Sequence, residues 1–272
     1  PPIVRPQTGL NSADLVFEVE AEGGVTRFAA IFRSQLPERV GSVRSARLFD
    51  LQLVEMYSAM IAYSGTSEPI QNLILGAEWV FRAFSPLKGD NENAGFFRDT
   101  DLRAEGVPLE HTLFLNPSTL YELATNRNVN TGYQARGFAF SENADQGGLP
   151  VNDAYVEWYG QANARWQFDP ETGRFVRFTD GLPHLDAADD SQLWADNLVM
   201  IEVPHNDRPD LFPPGASYAS LDIVVRGVPE EEGGEAIWPA QGRAYVLRDG
   251  VYYQGFWRRR DGNDGSALQL IY

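Results

Sequence analysis

The chain contains no cysteine, a single lysine, three histidines and three methionines in 272 residues. Without cysteine there is no disulfide, no thiolate nucleophile and no cysteine metal site. Lysine-dependent chemistry has one position, Lys88, because every other base is arginine. No apolar run approaches the ~20 residues of a membrane-spanning helix. Basic residues are scarce overall. The 22 bases against 38 acids leave a net charge of −16, a field that repels phosphate backbones and anionic membrane surfaces, so nucleic acid is not an expected partner. The G-x-S-x-G, H-E-x-x-H, Walker and G-x-G-x-x-G patterns are all missing. Ser85-Pro86-Leu87-Lys88 has the letters of S-x-x-K, but it stands in a Gly/Asn-rich loop without companion motifs. Nothing here requires a cofactor or a metal. His184 with Asp186, Asp189 and Asp190, or His205 with Asp207, reads as a solvated acidic turn rather than a cation site.

What is present describes an ordered protein. Apolar residues make up 43% and aromatics 12%, enough for a real core, and the length suggests two domains at ~150 residues each. Residues 18–20 and 26–32 read as strands joined across Gly23-Gly24, and LFDLQLVEMY (48–57) reads as a helix. Short strands at 59–63, 79–81 and 112–115 alternate with helices opened by Ser67-Glu68-Pro69 and Pro117-Ser118-Thr119. Residues 141–153 are polar, with paired glycines and a proline, and form the best linker candidate. Beyond them strands dominate: 164–168 and 174–178 around an Asp-Pro-Glu-Thr-Gly turn, 198–203, 221–225, and 242–247 with 251–257 around Asp249-Gly250. Residues 261–265 read as a further hairpin turn, and 258–260 (three arginines) as an edge-strand charge cluster that discourages strand addition. The expected fold is α+β: a mixed α/β domain over 1–145 and a smaller β-rich domain over 150–272.

The most informative stretch is 18–47. Arg44 and Arg47 lie three apart, and with Ser42 or Ser45 as N-cap a helix starting here sets both on one face of its first turn. The positive end of the helix dipole disfavours cations there unless an anion sits between them. Arg27, Arg44, Arg47 and Arg98, with Arg103 nearby, therefore make a candidate bidentate cradle for a carboxylate or phosphate. The loop Ser64-Gly65-Thr66-Ser67, between a strand and a helix, adds Ser64 and Ser67, and Asp99 completes the set. The competing reading is structural: Glu18, Glu20, Glu22 and Asp99 neutralise those arginines in a buried network. Both hold together if one guanidinium edge stays open to a cleft.

Three blocks carry a family resemblance: Arg5-Pro6-Gln7-Thr8-Gly9-Leu10 with Ala13-Asp14-Leu15-Val16-Phe17-Glu18-Val19; Glu22-Gly23-Gly24-Val25-Thr26-Arg27-Phe28; and Gly41-Ser42-Val43-Arg44-Ser45-Ala46-Arg47. Phe96-Phe97-Arg98-Asp99, the surroundings of Arg103 and His111, Asp196-Asn197-Leu198-Val199 and Gly255-Phe256-Trp257 extend it over nearly the whole chain. The sequence thereby resembles the YerB-like family, bacterial lipoproteins built from an N-terminal and a C-terminal domain of unknown function. The resemblance implies an exported, extracytoplasmic protein held at the membrane only by a lipid anchor on an N-terminal segment preceding Pro1-Pro2. It implies no activity. The family usually continues beyond the tryptophan hairpin, so a truncated second domain is expected where this chain stops at Leu270-Ile271-Tyr272.

The leading expectation is a non-enzymatic envelope protein that binds an anionic small molecule, cell-wall component or envelope protein between its domains. The alternative is a cell-wall glycan or peptidoglycan hydrolase using paired carboxylates, for which Glu20 and Glu22 are the candidate acids, with Glu68 and Asp99. The third reading is a protein–protein scaffold presenting Tyr252, Tyr253 and Trp257.

Overall fold

The structure is a computed structural model that describes residues 2–21, 24–131, 138–158, 162–207, 211, 217–219, 240–259 and 268–272. The N-terminal half opens with a hairpin, β1 (Leu15–Ala21) and β2 (Val25–Ile31), in the register Glu18↔Phe28 and Val19↔Arg27. Then follow β3 (Val40–Gly41), α1 (Leu48–Tyr57), β4 (Ile61–Ala62), α2 (Glu68–Gly76), β5 (Ala83–Phe84), β6 (Phe96–Arg98), α3 (Thr100–Ala104), β7 (Leu113–Leu115) and α4 (Pro117–Asn126). Helix starts obey local chemistry. Asn116 caps α4 by accepting from the Thr119 N–H, and prolines open α2 and α4. Strands β3, β7 and β6 form one antiparallel sheet, and β4 and β5 pair in parallel. Gly41 sits at φ 153, where a Cβ would lie 2.6 Å from the Phe114 ring, so only glycine lets β3 close on β7.

Among the described residues the C-terminal half holds two five-stranded sheets and a two-stranded one, His205–Asp207 with Ser217–Ala219. Its strands are β8 (Leu149–Pro150), β9 (Asp153–Val156), β10 (Ala164–Asp169), β11 (Arg174–Thr179), β12 (Leu182–Pro183), β13 (Trp194–Ala195), β14 (Asn197–Ile201), β15 (His205–Asp207), β16 (Ser217–Ala219), β17 (Ala240–Arg248), β18 (Val251–Arg259) and β19 (Gln269–Ile271). One sheet runs β12-β11-β10-β9 with β13 on β11; the other runs β14-β17-β18-β19 with β8 on β18. Asp249 (φ 50) and Gly250 (φ 73) give β17 and β18 the I′ geometry that the pair predicts. The chain is α+β, as its residues suggest, and among the described residues the helices lie in the first half.

Several expectations are corrected. Residues 79–81 are not a strand: Val80–Arg82 is a 3₁₀ turn closed by the Arg82 N–H on the Trp79 carbonyl, and the strand begins at Ala83. Three apolar residues in a row do not separate strand from helical turn. Residues 258–260 are not an edge cluster, because β18 is an interior strand and Arg259 is fully buried; Arg260 lies outside the described residues. The aromatic residues 252, 253 and 257 are not presented to solvent: Trp257 is fully buried and donates to the Glu202 carbonyl. Within the linker candidate 141–153, the Ser141 carbonyl accepts from Arg248 and that of Asp145 from Tyr253. The strand expected over 221–225 and the turn over 261–265 lie outside the described residues.

The two halves share a core. Phe49, Leu53, Met56 and Tyr57 of α1 join Ala244, Trp257 and Leu268 in one buried cluster, against which Phe17, Val19, Ala29 and Ile31 of the hairpin pack. The opposite hairpin face, bearing Glu18, meets β11. The hairpin is thus a wedge with α1 on one side and the first C-terminal sheet on the other. No described helix is long and apolar enough to cross a membrane.

Candidate functional site

At this wedge lies a partly open cavity of about 340 Å³. Its polar lining comes from both halves: Arg5, Arg27, Arg44 and Asp50 from the first, Arg177, Thr179 and His184 from the second. Strand alternation dictates who meets whom. Arg27 shares a face with Val19 and runs toward the start of α1, whereas Glu18 and Glu20 occupy the other face. The acids on β1 therefore do not neutralise Arg27, contrary to the structural reading of the sequence.

Glu18 instead makes a bidentate pair with Arg177 across the halves, at 2.8 and 2.9 Å, and accepts from Thr26 Oγ1 at 2.7 Å. Glu20 pairs with His205 at 2.6 Å. Glu22 lies outside the described residues. Asp99 caps α3 and pairs with Arg39 at 2.5 Å, and Arg39 lies over the Phe114 ring. Glu20 and Asp99 thus engage separate partners, and neither they nor Glu68 lines the cavity.

The helix-start arginines also differ from expectation. Helix α1 begins at Leu48, so Arg47 is its N-cap and Arg44 belongs to the extended segment before it; they do not share a helical face. Neither Ser42 nor Ser45 caps. The third helical residue, Asp50, reaches back to accept from the Arg47 N–H at 2.7 Å, half of a capping box. Arg47 turns its guanidinium onto the Ser45 and Ala46 carbonyls and does not line the cavity. Ser64 and Ser67 do not line it either: the Ser64 N–H bonds to the Arg44 carbonyl, and Ser67 is exposed. Arg98 is exposed and donates to the Leu109 carbonyl, and Arg103 donates to that of Val107. Of the sequence candidates, Arg27 and Arg44 come together here. Ser85 and Lys88 do not interact: Ser85 Oγ accepts from the Leu87 N–H and Lys88 holds two carbonyls.

Arg44 donates to the Glu110 carbonyl and to His111 Nδ1, while its Nε is buried with no hydrogen-bond partner. Burial, then the neighbouring Arg27, pushes the Arg44 pKa down; burial also lowers that of Arg27, opposed by Asp50. These are the signatures of two cations held close in a poorly solvated place. Asp50 is surrounded densely enough that burial lifts its pKa to about 6, despite the Arg47 N–H and the charges of Arg47 and Arg27. His184 is neutral, its pKa driven to about 3 by burial and by Arg177 and Arg5. Its Nε2 faces Gln7 Oε1 at 2.6 Å and its Nδ1 faces Thr179 Oγ1 at 2.8 Å. The lining therefore holds four guanidiniums and one carboxylate. Glu18 pairs with Arg177, Asp180 pairs with Arg5 at 2.7 Å, and Asp50 stands near Arg27.

Sequence reasoning missed Asp50, Arg5 and Arg177. Two signals were present: an acid three residues after a helix start, and a charged residue on the inward face of Arg174–Thr179, between Phe175 and Thr179. His184 and Asp186 were read as solvated, yet both are buried; Asp186 accepts from the Gly9, Asn11 and Ala188 N–H groups and fastens residues 5–11 to the second half. Among the described residues no three His, Asp or Glu side chains are placed to hold a metal.

Comparison with known proteins places this geometry in a family. The chain is 26% identical over 212 residues to the "Putative lipoprotein YerB" of Bacillus subtilis (strain 168), covering 75% of this chain and 60% of that protein's length. The crystal structure of the Bacillus subtilis YerB protein shares the fold, with a TM-score of 0.77 over 100% of this chain and 81% of that one, at 21% identity. Residues 2–131 match the N-terminal domain of the family described as "Protein of unknown function (DUF3048)", and residues 154–269 match its C-terminal domain. With both domains present, in order and over most of its length, the chain belongs to the DUF3048 family.

Proposed function

We propose that this protein is an extracytoplasmic, lipid-anchored binding protein that holds an anionic ligand in the cavity between its halves. The observation that carries the reading is the meeting of Arg27 and Arg44 on the lining of one cavity, close enough that the charge of Arg27 lowers the Arg44 pKa. Guanidinium groups suit planar or tetrahedral oxyanions because their N–H donors are fixed in a fork. The lipoprotein relative supports an envelope location, and a ligand there would be a soluble anion or an anionic wall fragment.

Melting curves test the reading. Sulfate or phosphate at a hundred times its Kd stabilises the folded state by about 2.7 kcal/mol, roughly 5–10 °C in Tm for a chain of this size. Arg44→Ala is expected to lose that shift and Arg47→Ala to keep it, because only Arg44 lines the cavity. No shift in the wild type with sulfate, phosphate or soluble wall fragments would overturn the reading.

The titration of Asp50 gives a second expectation. The groups facing it are Arg47 and Arg27, and protonation near pH 6 removes the charge that competes with a bound anion. Sulfate, which stays doubly charged, is expected to raise Tm more at pH 5 than at pH 7. Asp50→Asn, which keeps an acceptor for the Arg47 N–H, is expected to show the larger shift at both.

A further inference from the structure

The cavity is far larger than a bare oxyanion, and one of its walls is apolar. Phe32, Met60, Ala62, Leu115 and Leu120 line it and belong to the same hydrophobic cluster. Leu115 and Leu120 are buried, whereas Phe32, Met60 and Ala62 are only partly buried although they pack against that cluster. Apolar side chains left part-exposed along a cavity wall are an unfilled surface for an apolar group.

The wall and the cations sit on the same chain segments. Residues 40–46 carry Val40 and Val43 into the apolar cluster and Arg44 to the charged end. Hydrogen bonds from Val43 N to the Leu113 carbonyl (2.7 Å) and from Ser64 N to the Arg44 carbonyl (3.0 Å) fix this segment between β7 and the loop after β4. At the other end Arg27 and Arg44 repel one another near Asp50, and Arg177 is held by Glu18, Thr179 and His184. A small hydrated anion on the arginines would leave the apolar wall wet.

We propose that the ligand is an anionic amphiphile, one carboxylate or phosphate head on the arginines and a short apolar tail along Phe32, Met60 and Ala62. The proposal rests on the anion-binding reading and adds the tail. The volume of about 340 Å³ falls within the ~300–1,000 Å³ of small-molecule sites. It corresponds to a compact molecule, since a water occupies ~30 Å³ in the liquid.

The test is a homologous series below the micellar range: inorganic phosphate, then butyl, hexyl and octyl phosphate, with the matching carboxylates and with uncharged alkyl alcohols, each titrated calorimetrically. Each methylene buried against the wall should tighten binding about four-fold, the equivalent of ~0.8 kcal/mol per CH₂. The alcohols should bind far more weakly than either charged series, and the stronger of the two charged series identifies the head. In Met60→Trp, which fills part of the wall, the gain should end at a shorter chain. Arg44→Ala should weaken every charged member. Phosphate binding with no dependence on chain length would overturn the amphiphile while leaving the anion reading intact. Absence of binding by any charged member would overturn both. Alcohols binding as tightly as phosphates, or charged members binding as tightly to Arg44→Ala as to wild type, would also overturn the proposal, because the head would then play no part.

Discussion

At pH 5 the protein is expected to be about 2 kcal/mol less stable than at pH 8 through His184 alone, with the loss growing to about 5 kcal/mol below pH 3. The sign follows from the two states. Unfolded, the imidazole titrates near 6.5; folded, it stays neutral until about pH 3. Between those values the unfolded chain takes up a proton that the folded chain refuses, so stability falls as pH drops through that window. The cause is local. The ring is 4% exposed, its Nδ1 faces Thr179 and Arg177, and Arg5 lies near enough to repel a second positive charge. The Nε2–H faces the acceptor Gln7 Oε1, so the neutral tautomer is already fully bonded. Asp50 pulls the other way: its folded pKa of about 6 against 3.8 unfolded adds up to about 3 kcal/mol as pH falls from 6 toward 4. The check is therefore a difference. Denaturant melts of wild type and His184→Gln from pH 8 to 4 should converge as pH falls, because only the wild type carries the His184 term. Parallel profiles would show that the ring titrates normally in the folded state.

The second large effect is expected at the Glu18–Arg177 pair. Arg177 is 3% and Glu18 13% exposed at the side chain, and the pair joins β1 to β11, 159 residues apart. The rings of Phe28 and Trp166 flank the guanidinium at 5.2 and 5.3 Å, which deprives it of water. Removing one partner strands the other charge in that environment, so Glu18→Ala is expected to cost about 3–5 kcal/mol. Glu18→Ala with Arg177→Met should cost less than Glu18→Ala alone, since no buried charge is left over. A double-mutant cycle by urea unfolding measures this directly, and additivity within about 0.5 kcal/mol would show that the two groups are not coupled. Arg177 also lines the cavity, so sulfate should stabilise Glu18→Ala more than wild type. The contact between the halves and the charge of the cavity are thus one arrangement.

Local elements were legible in the sequence wherever short-range chemistry decides them. Asp249-Gly250 specifies its turn by left-handed backbone at both positions, and prolines with an Asn cap open the helices that were expected. The α+β class and the two-part order followed from the change of texture along the chain. Within the site, residues 18–47 rightly drew attention to Arg27 and Arg44, because arginines beside a helix start in an acidic chain need an explanation. What could not be read was their partners. A helix start later than either expected serine cap turned Arg47 from a helical position into a cap and sent it to backbone carbonyls. Strand alternation put Glu18 and Glu20 on the face away from Arg27, and they bonded to residues 159 and 185 positions later. By itself, then, the sequence determined the turns, the caps, the alternation of apolar positions and the scarcity of cations. The tertiary structure decided which charges meet, because pairing depends on which faces the hairpin, α1 and β11 present to one another, and no local periodicity encodes contacts between elements more than a hundred residues apart. The cavity exists only where those three faces leave space.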